Sequence, residues 1–133
     1  MECSRILKPH GKVVLIWNMR DLDDEVNKMN YQIFKKYCPN FYGFSSGMKD
    51  DETKIYDFFD GHVHTERFSN PLSFTKDTFI QRCLSASYSL RAGDEHYEAY
   101  VEELANLFDN YAVNDMMIVA NYTEAYIGEV FKL

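Results

Sequence analysis

Five consecutive residues, Trp17-Asn18-Met19-Arg20-Asp21, carry most of the side chains with chemistry to offer. An indole, a carboxamide, a guanidinium and a carboxylate follow directly on an apolar run. Open α/β sheets bind ligands at that place, the carboxyl end of a strand. Trp17, Asn18, Arg20 and Asp21 are therefore substrate-side candidates. The plainer alternative puts Trp17 in the core and makes Arg20 and Asp21 a local ion pair or the cap of the next helix. Phe41, Tyr42 and Phe44 sit in an irregular aromatic stretch and either form a lid over a substrate or pack against the sheet. His62 and His64 share one face of a strand, a spacing that metal binding accepts. With no third ligand in view they read as a solvated strand face, and no metal is assigned.

The three cysteines, Cys3, Cys38 and Cys83, are widely spaced and include no Cys-x-x-Cys pair. That pattern fits reduced thiols in a cytoplasmic chain better than a zinc site. The whole sequence has 133 residues, 14 basic against 21 acidic, for a net charge of −7. Its basic residues are scattered and outnumbered, so it lacks the clustered cations that release counterions from phosphate backbones, and no nucleic acid is expected as partner. No apolar run approaches the roughly 20 residues that span a bilayer, so no membrane is expected either. An apolar fraction of 46% describes a globular protein, and the length favours a single domain over 1–133.

The elements that must hold these residues read as follows. Cys3, Ile6 and Leu7 keep one helical face, and the helix they imply has no beginning in the chain. Lys8-Pro9-His10-Gly11 turns the backbone. Val13 to Trp17 is an unbroken apolar run, which predicts a strand covered on both faces. Asn18–Asp21 reads as a loop into a helix over Leu22–Tyr37, with Leu22, Val26, Met29, Ile33 and Tyr37 as its apolar face. A short helix is expected near Asp51–Phe59, with Asp50, Asp51 and Glu52 at its start, then a turn at Asp60-Gly61 and an edge strand over His62–Phe68. Thr75 caps a helix carrying Phe79, Ile80, Cys83 and Leu84. Asp94 caps the next, whose stripe runs Tyr97, Tyr100, Val101, Leu104, Leu107, Phe108 and Tyr111. One long strand from Met116 to Phe131, with Ile118, Ala120 and Tyr122 on one face, closes the chain. Tyr122 and Tyr126 read as core or surface before they read as cleft residues.

The run Arg5-Ile6-Leu7-Lys8-Pro9-His10-Gly11-Lys12-Val13-Val14-Leu15-Ile16-Trp17-Asn18 resembles the segment around the fifth strand of class I S-adenosylmethionine-dependent methyltransferases. There, a helix ends in Leu-Lys-Pro-Gly-Gly and turns into an apolar strand. Trp17-Asn18-Met19-Arg20-Asp21 looks like the Trp-Asn-x-Arg-Asp of a bacterial subgroup, and Phe79–Ser89 and Tyr97–Gly128 look like its tail. His10 stands where the family has glycine. The resemblance implies an α/β fold, the carboxyl-terminal half of a Rossmann-like methyltransferase. It would be a three-stranded mixed sheet of family order 5-7-6 flanked by helices, with Val13–Trp17 fifth, Met116–Phe131 seventh and His62–Phe68 sixth. It implies S-adenosylmethionine as cofactor only by ancestry. The six glycines include no Gly-x-Gly pair, so the cofactor loop of the first half is missing and the chain is expected to be inactive alone. The open edge of Val13–Trp17 then calls for a second copy in a homodimer, or a separately encoded amino-terminal half. The rival expectation is a non-enzymatic small-molecule-binding or oligomerisation module that reuses the half-fold.

Overall fold

A computed structural model describes residues 2–44 and 52–130. Ser45, Ser46 and Gly47 of the aromatic stretch, Asp50 and Asp51 of the expected helix start, and Phe131 of the expected last strand lie outside the described residues. The elements are α1 (Glu2–Ile6), β1 (Lys12–Arg20), α2 (Glu25–Tyr37), α3 (Glu52–Phe58), β2 (Val63–Ser69), β3 (Leu72–Phe74), α4 (Lys76–Leu84), α5 (Tyr97–Tyr111), β4 (Met117–Val119) and β5 (Asn121–Glu129). The fold is mixed α/β. Its contacts divide it into two compact units. The first holds α1, β1 as far as Met19, α3, β2 and β5 from Tyr122; the second holds Arg20–Phe44 and Pro71–Asn121. No described helix is long and apolar enough to cross a membrane.

In the first unit the strands lie in the order β1-β5-β2. β2 and β5 pair antiparallel, from Val63 opposite Gly128 to Ser69 opposite Tyr122. Along β1 rising residue numbers meet falling ones on β5: His10 Nδ1 lies 3.4 Å from Glu129 Oε2, the Trp17 and Tyr126 rings are 5.6 Å apart, and Thr123 Oγ1 donates to Asn18 Oδ1 at 2.7 Å. β5 is thus antiparallel to both neighbours, so the sheet is antiparallel at each pairing and not the mixed one expected; β1 and β2 point the same way. Val13, Leu15 and Trp17 pack on a core of Ile55, Phe59, Tyr126 and Val130. Val14 and Ile16, on the opposite face, are 49% and 61% exposed. The expectation of a strand covered on both faces is corrected: the run is continuous in hydrophobicity but alternates in burial, because side chains on a strand point to opposite faces and only one face has a neighbour here. The strand also runs on through Asn18 and Met19 to Arg20 where a loop was expected, carried by its pairing with β5.

The turn before β1 places His10 at φ 63°, a left-handed conformation that His adopts less readily than Gly. Gly11 beside it is required sterically: a Cβ there would lie 2.9 Å from Lys8 O. On β5, a Cβ at Gly128 would sit 2.7 Å from Phe59 Cδ1, so the central strand needs a glycine where α3 closes on the sheet.

In the second unit α2, α4 and α5 pack around Phe34, Phe79, Cys83, Tyr100, Leu104 and Phe108. β3 and β4 form a separate two-stranded antiparallel ribbon, Leu72 opposite Val119. The single long strand expected over Met116–Phe131 is two strands in different sheets. In β4 Ile118 is exposed while Met117 and Val119 are buried. Ala120 is the break, because its carbonyl leaves the ladder to accept from Asp21 N at 3.2 Å and from Asn27 Nδ2 at 2.8 Å.

Asn27 also donates to Asp21 O at 2.8 Å. With Asn30 it lies on the buried face of α2 beside Val26 and Phe34, so the apolar face read from Leu22, Met29 and Ile33 is rotated: Leu22 and Met29 are exposed. α2 begins at Glu25 after the cap Asp24, whose carboxylate accepts from Asn27 N, rather than at Leu22. Thr75 caps α4 with a capping box through Thr78, as its position predicts. Asp94 does not cap α5. His96 occupies that position, left-handed and without a side-chain bond, while Asp94 Oδ2 closes the preceding turn by accepting from Arg91 N at 2.7 Å.

Replacing Asn27 with Ala removes two side-chain bonds that tie the Asp21 turn to Ala120. Buried hydrogen bonds contribute roughly 1 kcal/mol each, so Asn27→Ala is expected to lower unfolding free energy by about 2 kcal/mol, read as a lower urea midpoint. An unchanged midpoint would remove this tie from the account of the break at Ala120.

Candidate functional site

The sequence candidates do not converge on one place. Trp17 is half-buried, its indole set edge-on to Tyr126 in the first unit's core. Asn18, exposed at the end of the same strand, is held by the Thr123 hydroxyl. Asp21 forms no ion pair with Arg20; its carboxylate accepts from Asp23 N at 2.9 Å and shapes the turn ahead of α2. Tyr42 is 85% exposed. His62 and His64 are exposed. His62 Nδ1 donates to Asp60 O at 2.8 Å, and His64 Nε2 donates to Glu66 Oε1 at 2.6 Å. Among the described residues no three His, Cys, Asp or Glu side chains gather as metal ligands would.

Three candidates, Arg20, Phe41 and Phe44, do meet, within the second unit. α2 supplies Tyr31 and Phe34 on the turns ahead of Pro39, and the chain then folds Phe41 and Phe44 back over them. Ring centroids lie 5.1 Å apart for Tyr31 and Phe41, 5.4 Å for Phe41 and Phe44, 5.0 Å for Phe34 and Tyr88, and 4.8 Å for Phe41 and Tyr88. Most of these pairs are edge-on or tilted, the geometry that the ring quadrupole favours. Arg20 enters from the end of β1 with its guanidinium carbon 4.1 Å from the Phe44 centroid, within cation–π range. Arg82, from α4, lies 5.0 Å from the Phe74 centroid.

The electrostatics here are unusual. Burial, and then the like charge of Arg82, bring the Arg20 guanidinium down to about 10. Burial likewise lowers Arg82. Tyr88 is pushed up by burial and pulled back by Arg20. The Cys83 thiol, whose sulfur lies 3.8 Å from Asn30 Oδ1, is pushed up by burial to about 11. A thiol so placed stays protonated at neutral pH and is a poor nucleophile. Arg82 and Asn30 escaped the sequence reading because isolated polar residues on helices ordinarily face solvent, and Tyr88 because it lies in the turn after α4, where no periodicity marks it. Only the aromatic richness of 41–44 pointed to this corner of the molecule.

A Cβ at Gly43, Gly61 or Gly93 would meet nothing within 4 Å, so these positive-φ residues sit in open turns, whereas Gly11 and Gly128 are closed in by their own chain. No step is derived through S-adenosylmethionine. Set against models of known protein families the sequence matches none, and no curated protein matches it.

Cys38 and Cys83 are buried and Cys3 is half-buried. A thiol reagent at pH 8 is expected to modify Cys3 alone in the native protein, and all the cysteines once urea has unfolded it. Rapid native modification of Cys83 would mean that the aromatic cluster is far looser than described.

Proposed function

We propose that these residues form the carboxyl-terminal half of a class I S-adenosylmethionine-dependent methyltransferase fold, carrying substrate-side elements and no cofactor loop. The observation that carries the reading is the sheet. Its order is β1-β5-β2, with β5 antiparallel to two strands that share a direction. In the family the seventh strand lies antiparallel between the fifth and sixth. The Leu7-Lys8-Pro9-His10-Gly11 turn into β1 and the Trp17–Asp21 segment at its end stand in the matching order along the chain.

Methyl transfer is an in-line displacement at a sulfonium carbon, so a protein contributes chiefly by positioning the acceptor and excluding water. On this reading the second unit supplies acceptor contacts: the Arg20 guanidinium, over Phe44 and beside Phe41, is the group suited to orienting a polar acceptor. Trp17 serves packing. The remaining half of the sheet would add its fourth strand along the outer edge of β1, and its flanking elements would cover the apolar face that exposed Val14 and Ile16 present. That strand comes from a partner polypeptide or from further residues of a longer one, and a second copy of this chain is the alternative occupant of the edge. The exposed face of β1 also favours a second reading, a non-enzymatic oligomerisation module built on the same half-fold. The reduced thiols fit a cytoplasmic setting.

Calorimetric titration of S-adenosylmethionine into the isolated 133-residue chain is expected to give no saturable heat; saturable micromolar binding would contradict the division of labour proposed here. Light scattering at rising concentration tests the edge. Self-association that Ile16→Lys reduces supports a second copy on β1, whereas self-association that the substitution leaves intact places the contact elsewhere. A monomer throughout would rule out both the second copy and the oligomerisation module.

A further inference from the structure

Two half-buried guanidiniums of the second unit have no acid paired with them among the described residues. Nη1 of Arg20 and Nη1 of Arg82 are each buried with no hydrogen-bond partner, and among the described residues no carboxylate pairs with either. Arg5, Lys28, Lys36, Arg67 and Lys76 each hold an acidic partner, in a protein whose acids outnumber its bases by 21 to 14. Burying part of an unneutralised charge is unfavourable, and two of like sign more so. The faces of the Phe44 and Phe74 rings offset part of this but supply no acceptor for an N–H.

We propose that Arg20 and Arg82 bind an oxyanion, a carboxylate or phosphate borne by a small organic molecule whose flat unsaturated body lies against Phe41, Phe44 and Tyr88. Guanidinium forks match the paired oxygens of both anions, and charge-assisted bonds to them are among the strongest that proteins make. A water molecule could accept from one Nη1, but it leaves the two positive charges uncompensated. The adjacent rings argue for an anion with an apolar body over a bare ion, since pockets for small molecules combine apolar walls with a few placed polar groups. The inference goes beyond the methyl-transfer reading and does not need it.

The test uses the 133-residue chain with benzoate and phenyl phosphate as probes, inorganic phosphate as the bare anion and benzyl alcohol as a neutral ring, followed by calorimetry and thermal melting. Benzoate or phenyl phosphate is expected to bind saturably and raise the melting temperature, more than inorganic phosphate does, while benzyl alcohol does neither. Whichever of the two binds tighter identifies the carboxylate or phosphate source. Arg20→Met and Arg82→Met should each weaken that binding by about tenfold or more, in line with loss of a charge-assisted pair. They should leave the melting temperature equal or higher, because an apolar side chain replaces an unpaired, half-buried charge. If one variant fails to fold, the other decides. Absence of saturable binding by both organic anions, equal binding of benzyl alcohol, or undiminished binding in the folded variants would overturn the proposal. No S-adenosylmethionine enters these titrations, so failure here and failure of the methyl-transfer reading are separate results.

Discussion

The first unit depends on the pairing of β5 with a strand on each side. A central strand can be buried on its faces because its backbone groups are satisfied laterally, and β5 uses that freedom: Glu124, Ala125, Tyr126 and Gly128 are all buried. Burial in turn dictates residue size. Phe59 presses so closely on Gly128 that no side chain fits between them, and Tyr126 fills the space under Trp17. The one carboxylate in this strand interior, Glu124, faces Arg67 directly across the ladder, with Nη2 3.6 Å from Oε1. Arg67 itself lies over the Tyr122 ring at 4.2 Å, so a cation on the exposed edge strand covers both an acid and a ring of the central one.

The second unit obeys a different rule. Its core is made chiefly of rings and helices, and it admits polar groups on condition that they find partners. Asn30 on α2 and Ser89 beside Tyr100 meet that condition, Ser89 Oγ lying 3.0 Å from the Tyr100 hydroxyl; Asn27 meets it through Nδ2 alone, its Oδ1 having no partner. Arg20 and Arg82 do not. Buried polar groups in folded proteins are nearly always satisfied, so exceptions point to something the fold alone does not complete. The unpartnered Nη1 atoms of Arg20 and Arg82 give this corner its functional interest.

Where local chemistry decided the structure, the sequence could be read. Thr75 with Thr78 marks the start of α4, and the spacing of Tyr100, Leu104, Leu107 and Phe108 describes the buried face of α5. Val13–Trp17 declares a strand. What escaped depended on partners distant in the chain. The run Met117–Glu129 looks like one strand because nothing local announces that Ala120 O will serve Asp21 and Asn27. The buried face of α2 includes two asparagines whose bonds lie across the fold. β3 is three residues long and invisible without β4. The candidate site was half legible: Arg20, Phe41 and Phe44 could be named, but Arg82 and Tyr88 join them only through the packing of α4 and the segment after it.

The claim on which the rest turns is that β5 lies between β1 and β2, antiparallel to each. Nuclear Overhauser contacts of Tyr126 measure it directly. The account predicts cross-strand contacts from Tyr126 to Thr65 on one side and to Trp17 on the other within the same molecule. Contacts joining β1 to β2 directly, with Tyr126 at a sheet edge, would contradict it.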